Sequence, residues 1–338
     1  MPAYRRAAAV ASLMMAAALQ GCQRDCCGPD RGGLSLFVGA RVDSAAFRSR
    51  GEFALELVPA DQTGQTFISD VWTITSTLVS PTSAAGLALA TQRVEPPDTQ
   101  LAVAAIDIDD SPSMAYSDPQ RVRAGAAQLF WQTLLGAEPR NQCALLDFGG
   151  PASPGLHRTR LLQTYTSVGG QLDAQLASIQ PLNGSTPLYH SALEVVRWTD
   201  TTLTEARYGR YVVIMTDGQP SDTSYRDSLF AAAKTSAVRF FAVGLGPASD
   251  RGVKTDPAAV AAVRELATRT GGIYLGVTST AQLLPALQSL ASEPTSAKLL
   301  AVFDVPGPFP ARGQVVSGRV TVIGQRGAAT ANWAFVAP

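Results

Sequence analysis

Histidine occurs twice, cysteine four times, and lysine only at positions 234, 254 and 298 in this chain of 338 residues. A metal centre built from imidazoles and thiols has little to draw on, and none of the cysteine spacings (22, 26, 27 and 143) makes a zinc site. Net charge is missing too: 27 Lys+Arg balance 27 Asp+Glu, and there is no basic run. The electrostatic footprint of a nucleic-acid binder is therefore lacking, and no nucleic-acid partner is expected. No apolar stretch reaches the roughly 20 residues that a membrane-spanning helix needs. What is present is core material: 46% hydrophobic against 16% charged residues excludes disorder. The length exceeds what one core organises, so two globular domains are expected.

The N-terminus reads as an export signal. Arg5 and Arg6 precede an apolar run over 7–19, thirteen residues long, too short to cross a bilayer. It ends in Leu19-Gln20-Gly21-Cys22, which resembles the lipobox of bacterial lipoproteins. The resemblance implies cleavage after residue 21 and lipidation of Cys22, with the membrane contacted through the lipid anchor only. Gln23 in place of Asp implies sorting to the outer membrane. The competing reading is an ordinary secretory signal beside a chance cysteine. Several acyl chains, each worth about 0.8 kcal/mol per buried CH₂, would make the anchoring permanent. Residues 22–33 form a polar tether, in which Cys26 and Cys27 can pair with each other or with another chain in an oxidising compartment. Cys143, in Cys-Ala-Leu-Leu, reads as a core hydrophobe on a buried strand.

From 98 to 295, apolar runs over 101–109, 211–216 and 238–245 alternate with amphipathic stretches, the rhythm of parallel strands covered on both faces. Val122, Ala126, Leu129, Phe130 and Leu134 share one helical face, with Gly136 placed to end that helix; Leu172, Leu176 and Ile179 repeat the pattern. Asp256-Pro257 reads as a helix start and Gly271 as its stop. The expected fold class is α/β, a doubly wound, mostly parallel sheet. The flanks, 34–97 and 296–338, carry short β-like runs without helical periodicity: 36–42, 53–58, 67–78 and 87–91 before, and 298–303, 314–323 and 330–336 after. Seven runs suit an immunoglobulin-like β-sandwich built from both flanks, with the α/β domain inserted; the competing reading is two independent β pieces.

The first α/β run ends in Asp109-Asp110-Ser111-Pro112-Ser113-Met114. In an extended segment Asp109, Ser111 and Ser113 point the same way and can offer three oxygens to one point. Asn183-Gly184-Ser185-Thr186-Pro187 can add the Thr186 hydroxyl, and Thr216-Asp217-Gly218 the Asp217 carboxylate. Asp107, Asp109, Asp110 and Asp217 would then gather at one sheet edge and invite a cation. In order and separation these three loops resemble the metal-ion-dependent adhesion site of von Willebrand factor type A (VWA) domains, a Rossmann-like fold in which the first and fourth strands lie side by side. The resemblance implies Mg²⁺, with Mn²⁺ or Ca²⁺ as substitutes, held by Asp109, Ser111, Ser113, Thr186 and Asp217. It implies a protein ligand whose acidic side chain completes the metal shell, a coupled shift of the last helix near 278–291, and no catalysis.

Two positions depart from the family pattern. Pro112 replaces a glycine, and Asp107 replaces an apolar residue, where an unpaired buried carboxylate would be costly. Asp107 is expected to gain from the nearby cation or to pair with an arginine. Two readings compete with adhesion: a structural envelope component with a structural metal, and a metal-dependent phosphatase using Asp107 as nucleophile, for which Lys234 and Lys254 are poorly matched. His157, beside Arg158, and His190, at a helix start, read as surface or packing residues, and Gly244-Leu245-Gly246 lacks the remaining glycine of a dinucleotide fingerprint. The envelope reading makes a first prediction: Cys22→Ser abolishes incorporation of labelled palmitate and moves the protein from the membrane to the soluble fraction, and unchanged labelling would contradict it.

Overall fold

A computed structural model describes residues 34–338 apart from 62–65, 67, 69–70, 82–84, 97–100, 151–158, 180–183, 204–207, 252–253 and 279. The signal, the tether, Cys22, Cys26, Cys27, His157 and Asn183 lie outside the described residues. Among the described residues, no helix is long and apolar enough to cross a membrane.

The N-terminal flank contributes β1 (Ser35–Arg41), helix α1 (Ser44–Arg50), β2 (Glu52–Ala60), β3 (Val71–Ser80) and β4 (Ala85–Glu95). The C-terminal flank contributes β11 (Lys298–Asp304), β12 (Val315–Gly324) and β13 (Gly327–Val336). These strands hydrogen-bond in the order β1-β2-β11-β4-β3-β12-β13, so β11 from one flank lies between β2 and β4 from the other. One ladder thus replaces two separate β pieces. Among the described residues its narrowest join is β3 to β4, where Ser76–Leu78 pair with Leu87–Ala85. Phe53 of β2 nevertheless lies 4.9 Å from both Trp333 and Phe335 of β13, ring centre to centre, so side chains from both flanks meet in one core cluster. Helix α1 was not expected. Asp43 accepts from the Ala46 N–H at 2.7 Å, and Gly51 closes the helix at φ 70°, so a cap and a stop fold seven residues that lack a long apolar stripe.

Between β4 and β11 runs the α/β unit. Its strands are β5 (Leu101–Asp109), β6 (Gln142–Phe148), β7 (Thr159–Thr166), β8 (Tyr208–Thr216), β9 (Val238–Leu245) and β10 (Ile273–Val277). Its helices are α2 (Met114–Ser117), α3 (Val122–Ala137), α4 (Gly169–Asp173), α5 (Leu188–Thr202), α6 (Arg226–Thr235), α7 (Pro257–Thr270) and α8 (Thr280–Ser292). The sheet order is β10-β9-β8-β5-β6-β7, parallel except for the antiparallel edge strand β7. All nine residues of β5 are buried. Its Ala102, Ala104, Ile106 and Ile108 pack with Phe130, Trp131 and Leu134 of α3 and Leu283 and Leu287 of α8, while Ala105 faces α5, α6 and α7. Two expected helix details differ. Helix α3 runs through Gly136 to Ala137, and the 172–179 pattern is split into α4 and a short 3₁₀ turn at Leu176–Ser178. Helix α7 starts and stops as its sequence indicates, with Asp256 capping Ala258 and Ala259 and Gly271 at φ 68°.

The flank ladder and the α/β unit share apolar contacts, since Phe37 and Val58 belong to the same core cluster as Phe241 and Ile273. They also share charge. Arg239 of β9 reaches Glu56 of β2 at 3.0 Å and Glu293, just beyond α8, at 3.7 Å; Lys298 of β11 reaches Glu293 at 2.8 Å. Glu56 and Glu293 are almost wholly buried, and without Arg239 the first keeps only the half-exposed Arg41 and the second only Lys298, so two buried carboxylates lose their shared partner at low dielectric. Arg239→Ala is expected to lower unfolding free energy by about 3 kcal/mol in urea titrations, whereas Arg140→Ala, which removes an exposed pair with Glu138, leaves the midpoint unchanged. Equal midpoints for both variants would contradict a buried junction.

Candidate functional site

Parallel pairing of β5 with β8 brings the ends of both strands to the same level, with Ile108 opposite Met215. The next residues are Asp109 and Thr216, and the Thr216 hydroxyl donates to the Asp109 carboxylate. The other Asp109 oxygen accepts the Ser111 N–H at 2.8 Å. The chain does not continue extended, as the sequence suggested. It turns at once, with Met114 N–H donating to Ser111 C=O at 3.1 Å and Ala115 N–H to Pro112 C=O at 3.2 Å, and Pro112 suits that turn. The turn still brings the hydroxyls together, because Ser111 Oγ and Ser113 Oγ are 3.0 Å apart. Ser113 Oγ donates to Asp217 Oδ1 at 2.7 Å. The other oxygen, Asp217 Oδ2, is buried without a hydrogen-bond partner.

Thr186 comes from the loop before α5 and is buried. A Cβ at Gly218 would sit 2.7 Å from Thr186 Oγ1, so the absence of a side chain there lets the Asp217 loop close onto Thr186. The Ser221 N–H donates to Thr186 C=O at 3.0 Å. Asp109, Ser111, Ser113, Thr186 and Asp217 therefore all lie at the C-terminal ends of β5 and β8 or on loops packed there, the sheet's switch point. Among the described residues no group of three or more His, Cys, Asp or Glu side chains is placed to hold a metal, so a cation here depends on the hydroxyls. Three neutral hydroxyls and two carboxylates, one of them carrying the unpartnered Asp217 Oδ2, form an all-oxygen donor set that fits a hard divalent ion such as Mg²⁺.

The four aspartates do not form one cluster. Asp110 turns away to Arg123 of α3, whose guanidinium also holds Asp118 at 2.9 Å. Asp107 lies on the α5 side, where Oδ2 accepts from Ser191 Oγ at 2.7 Å and Oδ1 is unpartnered; among the described residues no arginine reaches it there. Burial pushes the Asp107 pKa up to about 8, opposed by the Ser191 hydroxyl and reinforced by Asp147 and Asp109. Burial likewise raises Asp109 to about 6, opposed by the hydrogen bonds from Thr216 and Ser111 and reinforced by the charge of Asp217. His190 is an α5 residue packed edge-on to Tyr225, ring centres 4.6 Å apart. Sequence reasoning missed Thr216 as the partner of Asp109 and Arg123 as the partner of Asp110. Asp118, just ahead of α3, accepts from Val122 N–H at 2.8 Å.

An open, six-stranded, mostly parallel α/β sheet whose strand order switches beside β5 defines a Rossmann-like fold class. The chain belongs to the von Willebrand factor type A domain family, whose model matches residues 105–297. None of the curated proteins matches it. Among solved structures, it is 11% identical to a von Willebrand factor type A protein from Catenulispora acidiphila, covering 92% of this chain and 75% of that one at a TM-score of 0.44. It is 19% identical to the conserved hypothetical protein BatB from Bacteroides thetaiotaomicron, covering 57% and 98% at 0.42. It is 10% identical to the pilus adhesin SpaC from Lactobacillus rhamnosus GG, covering 89% and 47% at 0.44.

The raised Asp107 pKa has a defined consequence. Between roughly pH 4 and pH 8 the folded protein holds a proton that the unfolded chain releases, so stability falls as pH rises through that window. Asp107→Asn keeps an acceptor for Ser191 and removes the dependence. In chelator, its melting temperature should match wild type near pH 4 and exceed it by roughly 2 °C or more at pH 8. A difference that does not change with pH would contradict this.

Proposed function

We propose that this chain is a bacterial cell-envelope lipoprotein, anchored through Cys22 in the outer membrane with its folded part on the periplasmic or surface face. Its VWA domain binds a divalent cation, Mg²⁺ with Mn²⁺ or Ca²⁺ as substitutes, and recognises a protein ligand through an acidic side chain. Asp109, Ser111, Ser113, Thr186 and Asp217 are the residues that hold the ion. The carrying observation is Asp217 Oδ2, buried without a hydrogen-bond donor beside the paired Ser111 and Ser113 hydroxyls. Bound there, the cation supplies an attraction for a carboxylate, because the hydroxyl donors are neutral. Asp109 and Thr216 fix the height of the first loop, and Gly218 lets the other two close.

The chain is read as a binding protein and not as a catalyst. A phosphatase needs its nucleophile in contact with substrate, and Asp107 is fully buried against Ser191. The flanks, 34–97 and 296–338, are read as one immunoglobulin-like sandwich that carries the VWA domain, 98–295, as an insert. Support comes from β11 lying between β2 and β4 and from the Phe53 contacts across the fold.

Melting with added Mg²⁺ tests the cation: at about 100 times its dissociation constant it should add roughly 2.7 kcal/mol of stability, lost in Asp109→Ala. An unshifted wild type across Mg²⁺, Mn²⁺ and Ca²⁺ would end the reading. Capture of envelope proteins by the full chain should then require Mg²⁺ and fail in chelator; capture indifferent to both chelator and Asp109→Ala would favour a structural metal instead.

A further inference from the structure

Helix α5 begins just after Thr186, and its first turn lacks a cap of its own: Pro187 stands at the N-cap position and offers no side-chain hydrogen bond. The open N–H groups are taken from another loop. Asp222 Oδ1 accepts the Tyr189 N–H at 3.3 Å, and Asp222 Oδ2 accepts the His190 N–H at 2.6 Å. Asp222 lies five residues after Asp217, on the same loop, and its side chain is mostly buried. One residue earlier, the Ser221 N–H donates to Thr186 C=O. The other end of this loop is held separately, with Gln219 Nε2 donating at 2.7 Å to Asp256, the cap of α7.

We infer that Asp222 is a positioning residue of the proposed cation site: by capping α5 from the loop that carries Asp217, it sets the distance between the Thr186 hydroxyl and the Asp217 carboxylate. The two loops are 31 positions apart in sequence at Thr186 and Asp217, and among the described residues no strand pairing fixes one against the other. Their registration depends on the Ser221 bond, the fit of Gly218 against Thr186, and the two bonds to Asp222. A carboxylate at a helix N-terminus is favoured electrostatically, so this tie is charge-assisted. Asp222 does not itself belong to the donor set. It acts through Thr186, as residues behind metal ligands do when they orient them.

This inference rests on the cation reading above, and the test separates the two. Mn²⁺ is titrated calorimetrically into the detergent-solubilised full chain as wild type, Asp222→Ala, Asp222→Asn and Thr186→Ala, and into Asp222→Ala combined with Thr186→Ala. Asp222→Ala should weaken Mn²⁺ binding by about 10- to 100-fold. Asp222→Asn, which keeps an acceptor oxygen without the charge, should lose less. In the Thr186→Ala background, Asp222→Ala should cost no more than about twofold further, because residues acting through one another are not additive. A merely structural role would lower the melting temperature in chelator without this dependence on Thr186. Affinity for Asp222→Ala within about twofold of wild type, or an equal loss in both backgrounds, overturns the role of Asp222 while leaving the cation site intact. A wild type that takes up no Mn²⁺ overturns both. If Asp222→Ala shows no cooperative melting, Asp222→Asn is judged by the same two criteria.

Discussion

Asp109 and Thr216 end two neighbouring parallel strands, and the hydroxyl of one donates to the carboxylate of the other. That contact lies where the strand order switches, the point at which the connections leave the sheet toward opposite faces. The first loop must turn immediately to avoid leaving the switch point, which places Ser111 and Ser113 side by side. The third loop leaves β8 one residue later, which brings Asp217 to Ser113. The arrangement of the site is therefore a consequence of strand register before it is a consequence of any ligand. Burial, with a smaller push from the charge of Asp217, disfavours ionisation of Asp109 and raises its pKa to about 6, a cost that a cation would relieve.

The α/β core was legible because nearly every residue of β5, β8 and β9 is buried on both faces, which leaves continuous apolar runs in the sequence. The ends of α7 were legible because Asp256 and Gly271 have local roles that do not depend on distant partners. What the sequence could not convey was partnership over long separations. Arg123 with Asp110, Ser191 with Asp107 and Asp222 with α5 each join positions that only the folded sheet brings near. The extended reading of Ser111 to Ser113 failed for a related reason: alternation predicts direction only while the strand lasts, and β5 stops at Asp109. Helix α1 escaped notice because a seven-residue helix needs only a cap, a stop and one buried residue, Phe47.

The flanking ladder joins the α/β unit through β2, β9 and β11, away from the loops that carry Ser111, Thr186 and Asp217. Glu56 on β2, Arg239 on β9, Glu293 after α8 and Lys298 on β11 alternate in charge across the junction, so each buried carboxylate has a cation in reach. Such a network contributes little net stability when intact, but it penalises any packing that separates the partners, and in this way it specifies one arrangement of ladder and domain. Phe37 and Val58, which join the core beneath the α/β sheet, supply the apolar part of the same junction.

Anomalous diffraction from crystals grown with Mn²⁺ tests most directly whether three loops converge on one cation. The predicted result is a single strong peak within coordination distance of Ser111 Oγ, Ser113 Oγ and Thr186 Oγ1, with Asp217 alongside and the Ser113–Asp217 hydrogen bond broken. No peak at saturating Mn²⁺, or a peak elsewhere with that hydrogen bond intact, would contradict it.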